Sequence, residues 1–189
     1  MQYRTLSLYI ILCFCLFLAM SSCRKKPSKK AIQSTLNNPC PRPYPTAALK
    51  LGKGVHHTFE ITTNHEAIEV ADLGEGMKIE IRHRGCGYYI LNYRITAPHQ
   101  QLPNDDIAYW YVYVSDVISR LKPIDESPIA LKLASRALRE AISVHKSSLR
   151  YGLKIEYFPK EPKEYVRIDT VQVQGNTRII EWEFGIGPL

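Results

Sequence analysis

Cysteine and histidine are the residues here whose types could do chemistry. The chain holds five cysteines, at positions 13, 15, 23, 40 and 86, and six histidines, at 56, 57, 65, 83, 99 and 145. Neither Cys40 nor Cys86 stands at zinc-ligand spacing to another cysteine, and no HExxH motif occurs. His56 and His57 are adjacent, so on a strand their rings point to opposite faces. His83 shares a strand face with Ile79 and Ile81, which favours a half-buried histidine over a ligand. His56, His65 and His83 would have to converge in space to hold a metal, and no spacing argues for it. A thiol at Cys86 with His83 near it is one arrangement for a nucleophile; a disulfide at the Gly85-Cys86-Gly87 turn is the other. There is no GxSxG nucleophile elbow and no GxxxxGK[ST] phosphate loop. Gly74-Glu75-Gly76 lacks the third glycine of a dinucleotide fingerprint. The acidic pairs Asp105-Asp106 and Asp125-Glu126 sit at expected helix starts, where capping accounts for them, and adjacent carboxylates do not straddle a scissile bond. The residues therefore predict neither catalysis nor a cofactor nor a metal.

Cys23 stands in a different context. Arg4 and the amino terminus supply positive charge, residues 5–20 carry none and are rich in Leu, Ile, Phe and Cys, and Met20-Ser21-Ser22-Cys23 closes the stretch. A charged end, an apolar centre and small residues before a cut form an export signal. With the cysteine directly after them, residues 1–23 resemble the lipobox of bacterial prolipoproteins, with Met20 where that family more often has leucine. The resemblance implies a signal peptide over residues 1–22, cleavage before Cys23, and a palmitate-bearing lipid anchor on the Cys23 thiol. Arg24 is not the aspartate of an inner-membrane retention signal, which favours a periplasm-facing lipoprotein of the outer membrane. Two other readings use the same residues: an ordinary cleaved secretory signal, and an uncleaved inner-membrane anchor. The second follows from Arg24, Lys25, Lys26, Lys29 and Lys30, which by the positive-inside rule would keep the domain in the cytoplasm.

Charge is unevenly placed. The formal net charge is +7, yet residues 31–189 hold 19 Lys and Arg against 18 Asp and Glu. The folded part is close to neutral and lacks the basic face that nucleic-acid binding requires. The basic run at 24–30 is instead suited to anionic lipid headgroups, at about 1 kcal/mol per charge near the surface. Once a signal and a lipid site are set aside, Cys40 and Cys86 remain. In an oxidising envelope they are expected to pair, closing a loop worth roughly 4 kcal/mol in the chain-entropy model; two buried free thiols are the alternative.

The pattern behind these residues divides the chain into a tether at 23–54, with five prolines, and a single globular domain at 55–189. Strands are expected at 57–62, 66–71, 77–83 and 88–95, where apolar residues alternate. Asn104, Asp105 and Asp106 offer the cap of a helix with Ile107, Trp110, Val114, Ile118 and Leu121 on one stripe, ended by Pro123. Ser127 with Pro128 at the first helical position is expected to open a second, striped by Leu131, Ala134, Leu138 and Ala141. Strands return at 153–158, 165–174 and 177–184, the last two joined by Gly175-Asn176. Strands, two helices, strands predict an α+β fold: an antiparallel sheet with helices on one face.

Tyrosine is abundant, at 12 of 189 residues. Tyr88, Tyr109 and Tyr113 are the candidate partner-binding residues, since tyrosine buries a large ring while its hydroxyl stays bonded; ordinary packing is the alternative. The layout is similar to that of envelope inhibitor and immunity lipoproteins. It implies occlusion of a toxin or hydrolase acting in the periplasm. An accessory lipoprotein of an envelope assembly and an envelope hydrolase are the alternatives.

Overall fold

The computed structural model describes residue 40 and residues 44–98, 106–158 and 161–187. Cys23, the expected signal and the basic run lie outside the described residues, within the separate unit Met1–Pro39. The compact unit is Cys40–Leu189.

Seven strands form one open antiparallel sheet: β1 His57–Thr63, β2 Glu66–Gly74, β3 Met77–Arg84, β4 Tyr89–Pro98, β5 Ile155–Phe158, β6 Lys163–Gln174 and β7 Thr177–Gly187. Their spatial order is β1-β2-β3-β4-β7-β6-β5. Two helices, α1 Ile107–Leu121 and α2 Leu131–His145, lie in sequence between β4 and β5. Among the described residues, no helix is long and apolar enough to cross a membrane.

The strands form where side chains alternate. Along β7, Ile180, Trp182, Phe184 and Ile186 are buried in the core while Glu181 and Glu183 take the opposite parity. Tyr93 of β4 stacks on its cross-strand partner Trp182, with centroids 5.3 Å apart and planes at 17°, and meets Phe184 edge-on. The same core takes Trp110, Tyr111, Val114 and Ile118 from α1 and Ala134, Leu138 and Ala141 from α2. Between the helices, Ser115 Oγ lies 2.9 Å from Ser135 Oγ, which is 2.8 Å from Ser119 Oγ. That closes a buried polar seam.

Of the three cap candidates it is Asp106 that caps α1, accepting from the Ala108 and Tyr109 amides. The second helix differs. It starts at Leu131, behind Ala130, and not at Pro128. Residues 124–126 are drawn into an extended pairing with the segment before β1: Lys50 N donates to Ile124 O (2.7 Å), Glu126 N to Ala48 O (2.6 Å), and Leu49 bridges Asp125. Asp125 is thus no helix cap; it accepts from Tyr93 Oη at 2.7 Å and from Ser127 N at 2.8 Å. Because of this pairing, Ala48 and Leu49, which the proline-rich composition assigns to the tether, belong to the core.

Candidate functional site: the polar face of the central strands

The sheet face opposite the core carries an ordered array of charge. Antiparallel register lines up Arg82, Asn92, Glu183 and Arg167 across β3, β4, β7 and β6. The next row holds Glu80, Arg94, Glu181 and Thr170, with Asp169 in a bulge beside it. The row on the other side holds Arg84, Ile90, Gly185 and Tyr165. The charged members of these rows, with Asn92 and Asp169, line a cleft of about 270 Å3.

Glu183 is the hub of the array. It is 6% exposed although it faces away from the core. Its Oε1 accepts from Tyr165 Oη at 2.8 Å and pairs with Arg167 Nη2 at 3.2 Å. Its Oε2 accepts from Asn92 Nδ2 at 2.9 Å, with Arg84 Nη2 at 3.9 Å. Tyr165 can reach it because Gly185, directly opposite on β7, leaves its Cβ space to the tyrosine ring. Burial, and then the bond to Glu183, push the Tyr165 phenol above its usual range. It therefore stays a neutral donor at neutral pH.

Around this buried hub the arginines stay accessible. Arg82 donates to Glu80 at 2.6 Å, Arg94 pairs with Glu181 at 3.6 Å, and Arg84 donates from Nε to Asn92 Oδ1 at 2.8 Å. Their side chains are 55%, 40% and 51% exposed. A guanidinium has five N–H donors, so for Arg82 and Arg94 the single carboxylate partner given above leaves donors over. The arrangement offers alternating donors and acceptors on a rigid floor. That suits recognition of a polar surface. Glu183 has its oxygens occupied by four neighbours, and nothing in this geometry poises it to attack a bond.

The expected site residues fall in three places. Tyr88 packs on Gly187 at the end of β7 and is 51% exposed. Tyr109 and Tyr113 flank Trp110 on α1, with ring centroids 6.2 Å from each other. Trp110 lies under the guanidinium of Arg178, near the start of β7. Nine strand residues, about 30 Å at ~3.3 Å each, separate the two ends of that strand. The structure brings Tyr109 and Tyr113 together and does not bring Tyr88 to them. Burial raises the Tyr113 phenol, in keeping with its partial packing against the core. Cys40 and Cys86 meet, with Cα atoms 5.1 Å apart, inside the range a disulfide spans.

The histidines hold a surprise. His83 is fully buried and shares a hydrogen-bond partner with His57. Both rings bind Glu69, a carboxylate with no exposed surface: His57 Nε2 lies 2.7 Å from Oε1 and His83 Nε2 3.2 Å from Oε2. The Ala48 and Leu49 amides donate to the same carboxylate at 2.7 and 2.9 Å. An ionised carboxylate only accepts, so both rings donate from Nε2. Among the described residues, no group of three or more His, Cys, Asp or Glu is placed to hold a metal ion. Glu69 could have been suspected in the sequence, since it shares strand parity with buried Ala67 and Ala71. Glu183 could not, because its parity is that of a solvent-facing residue.

No protein-family model, curated protein or solved structure matches this chain.

Proposed function

We propose that this chain is an envelope lipoprotein, anchored through acyl chains on Cys23 and the basic run at 24–30. Its folded unit is a non-catalytic domain that binds a protein partner, as an inhibitor or immunity protein against a toxin or hydrolase acting in the periplasm. One observation carries the binding role: the accessible arginines arrayed around buried Glu183 on the polar sheet face. In this reading both helices cover the other face of the sheet, so the array stays free for a partner. A floor whose side chains are already held by cross-strand bonds loses little conformational entropy on binding. A partner covering it would bury about 800 Å2 on each side. Lipid anchoring would add a high local concentration at the membrane.

Two measurements test this. Palmitate incorporation is expected for the wild type and lost in Cys23→Ala. The lipidated chain, used as bait in envelope extract, is expected to retain a single enzyme whose activity falls on binding. Recovery of a multi-protein complex with no inhibited enzyme would instead support an accessory role. No incorporation and no retained enzyme would remove the proposal.

A further inference from the structure

A second cleft lies between the C-terminal half of α1 and the β2–β3 turn. It has a volume of about 280 Å3 and shares no residue with the charged cleft. Its apolar lining includes Met77 beside the turn, Val117 and Leu121 on α1, and Ile124 just after the helix. Val117 and Leu121 are buried, and Met77 and Ile124 are half-buried against the core. The slot is thus a part of the core that opens to solvent.

Three charged side chains line the same slot: Glu75, Asp116 and Arg120. Asp116 is already paired with Arg139. Glu75 and Arg120 are both exposed, and among the described residues neither has an ion-pair partner, in the other or elsewhere. Glu75 also stands where its turn does not ask for it. Glu75 and Gly76, between paired Gly74 and Met77, both have positive φ, +54° and +74°. A two-residue turn of that kind takes Asn-Gly most readily, and a glutamate there is held in the left-handed region.

We propose that this slot binds a free α-amino acid with a large aliphatic side chain, of which leucine is the type. The side chain enters the apolar slot and leaves water. Arg120 takes the α-carboxylate, whose two oxygens match the fork of a guanidinium. Glu75 takes the α-ammonium. One unpaired charge of each sign beside an apolar slot is complementary to a zwitterion; a ligand with only one charge leaves the other unanswered. The volume falls just under the roughly 300–1,000 Å3 of drug-sized ligand sites, as a single small molecule requires. The site rests neither on the proposed lipid anchor nor on the arginine array.

Methyl NMR spectra of the full-length chain in lipid nanodiscs, titrated with L-leucine, test the site. Saturable shifts are expected at Met77, Val117, Leu121 and Ile124, and none at Ile90 on the charged sheet face. 4-Methylpentanoate, which lacks the ammonium, and 3-methylbutylamine, which lacks the carboxylate, should each bind about tenfold more weakly or worse. Glu75→Asn gives the turn its favoured Asn-Gly and should keep the unfolding midpoint or raise it. It should weaken leucine about tenfold and leave 4-methylpentanoate no weaker. Arg120→Gln should weaken leucine likewise and leave 3-methylbutylamine no weaker. A merely structural role for either residue would not give that crossed pattern. No saturable shift with leucine overturns the proposal. So does equal binding of leucine and 4-methylpentanoate, which would mark the slot as a cavity that takes any aliphatic tail.

Discussion

Tyr165 lies across Gly185, its ring filling the space where a Cβ would stand on the paired strand. The missing side chain on β7 is what lets the Tyr165 hydroxyl donate to Glu183 at 2.8 Å. Gly185→Ala is expected to push the ring off, break that bond and strip one donor from a buried carboxylate. An overpacking cost of roughly 1–3 kcal/mol should follow. Gly52→Ala, where no atom lies within 4 Å of the new methyl, is the control and should change stability little. Urea unfolding of the two variants checks this, and equal midpoints would show that Tyr165 packs elsewhere.

Glu69 gives the chain an acid-sensitive joint. Burial by itself pushes its carboxyl up, but the His83, Ala48, Leu49 and His57 hydrogen bonds together outweigh it and hold the group below the ordinary 4.5. A depressed folded pKa contributes stability that is complete above the unfolded value and is lost as pH falls through the folded one. Glu69→Gln should therefore flatten the pH dependence of stability below about pH 4.5. At neutral pH it should cost about 1–3 kcal/mol, because an amide cannot accept from all four donors. Unfolding midpoints measured from pH 3 to 7 in both proteins decide the matter. A parallel pair of curves would mean that Glu69 is not the titrating group.

Buried phenols predict the opposite sign at high pH. Burial pushes Tyr111 up to about 12, with Tyr151 adding to it. Burial first, and then Asp125, raise Tyr93 well above its usual value. Groups with raised folded values contribute stability that is full below the unfolded pKa, near 10, and is lost as pH rises through the folded value. Alkaline titration followed by phenolate absorbance should show fewer than the ten tyrosines of residues 23–189 ionising before the protein unfolds. Tyr93→Phe should cost about 1 kcal/mol by leaving Asp125 short of one donor, while the stack on Trp182 stays.

The charged array should separate binding from folding. Arg82 and Arg94 are half-exposed, and exposed ion pairs contribute only about 0–1 kcal/mol each. The double variant Arg82→Glu, Arg94→Glu is expected to keep its unfolding free energy within roughly 2 kcal/mol of wild type. It should lose at least tenfold in affinity for whatever enzyme the wild type retains from envelope extract. An unchanged affinity would move the binding surface elsewhere on the domain.

Local signals in the sequence were enough for the order of elements. Period-2 alternation marks β3 at Met77–Arg84, the polar run that ends at Asp106 marks the start of α1, and Gly175-Asn176 marks the last hairpin. These are short-range effects, set by backbone sterics and the nearest side chains. Cysteine count, not local pattern, is what expects a partner for Cys40 at Cys86, and the two sulfurs do meet. What tertiary structure decided is everything that needs residues far apart. Residues 124–126 are extended because they pair with 48–50, which overrides the Ser127-Pro128 helix start. Glu69 gathers His57, His83 and two amides from a segment 20 residues upstream. Glu183 becomes a buried hub only when β3, β4, β7 and β6 come into register. A carboxylate's worth depends on which donors surround it. For these two residues, the donors come from neighbouring strands and, for Glu69, also from the segment at 48–49, which only the completed fold sets side by side.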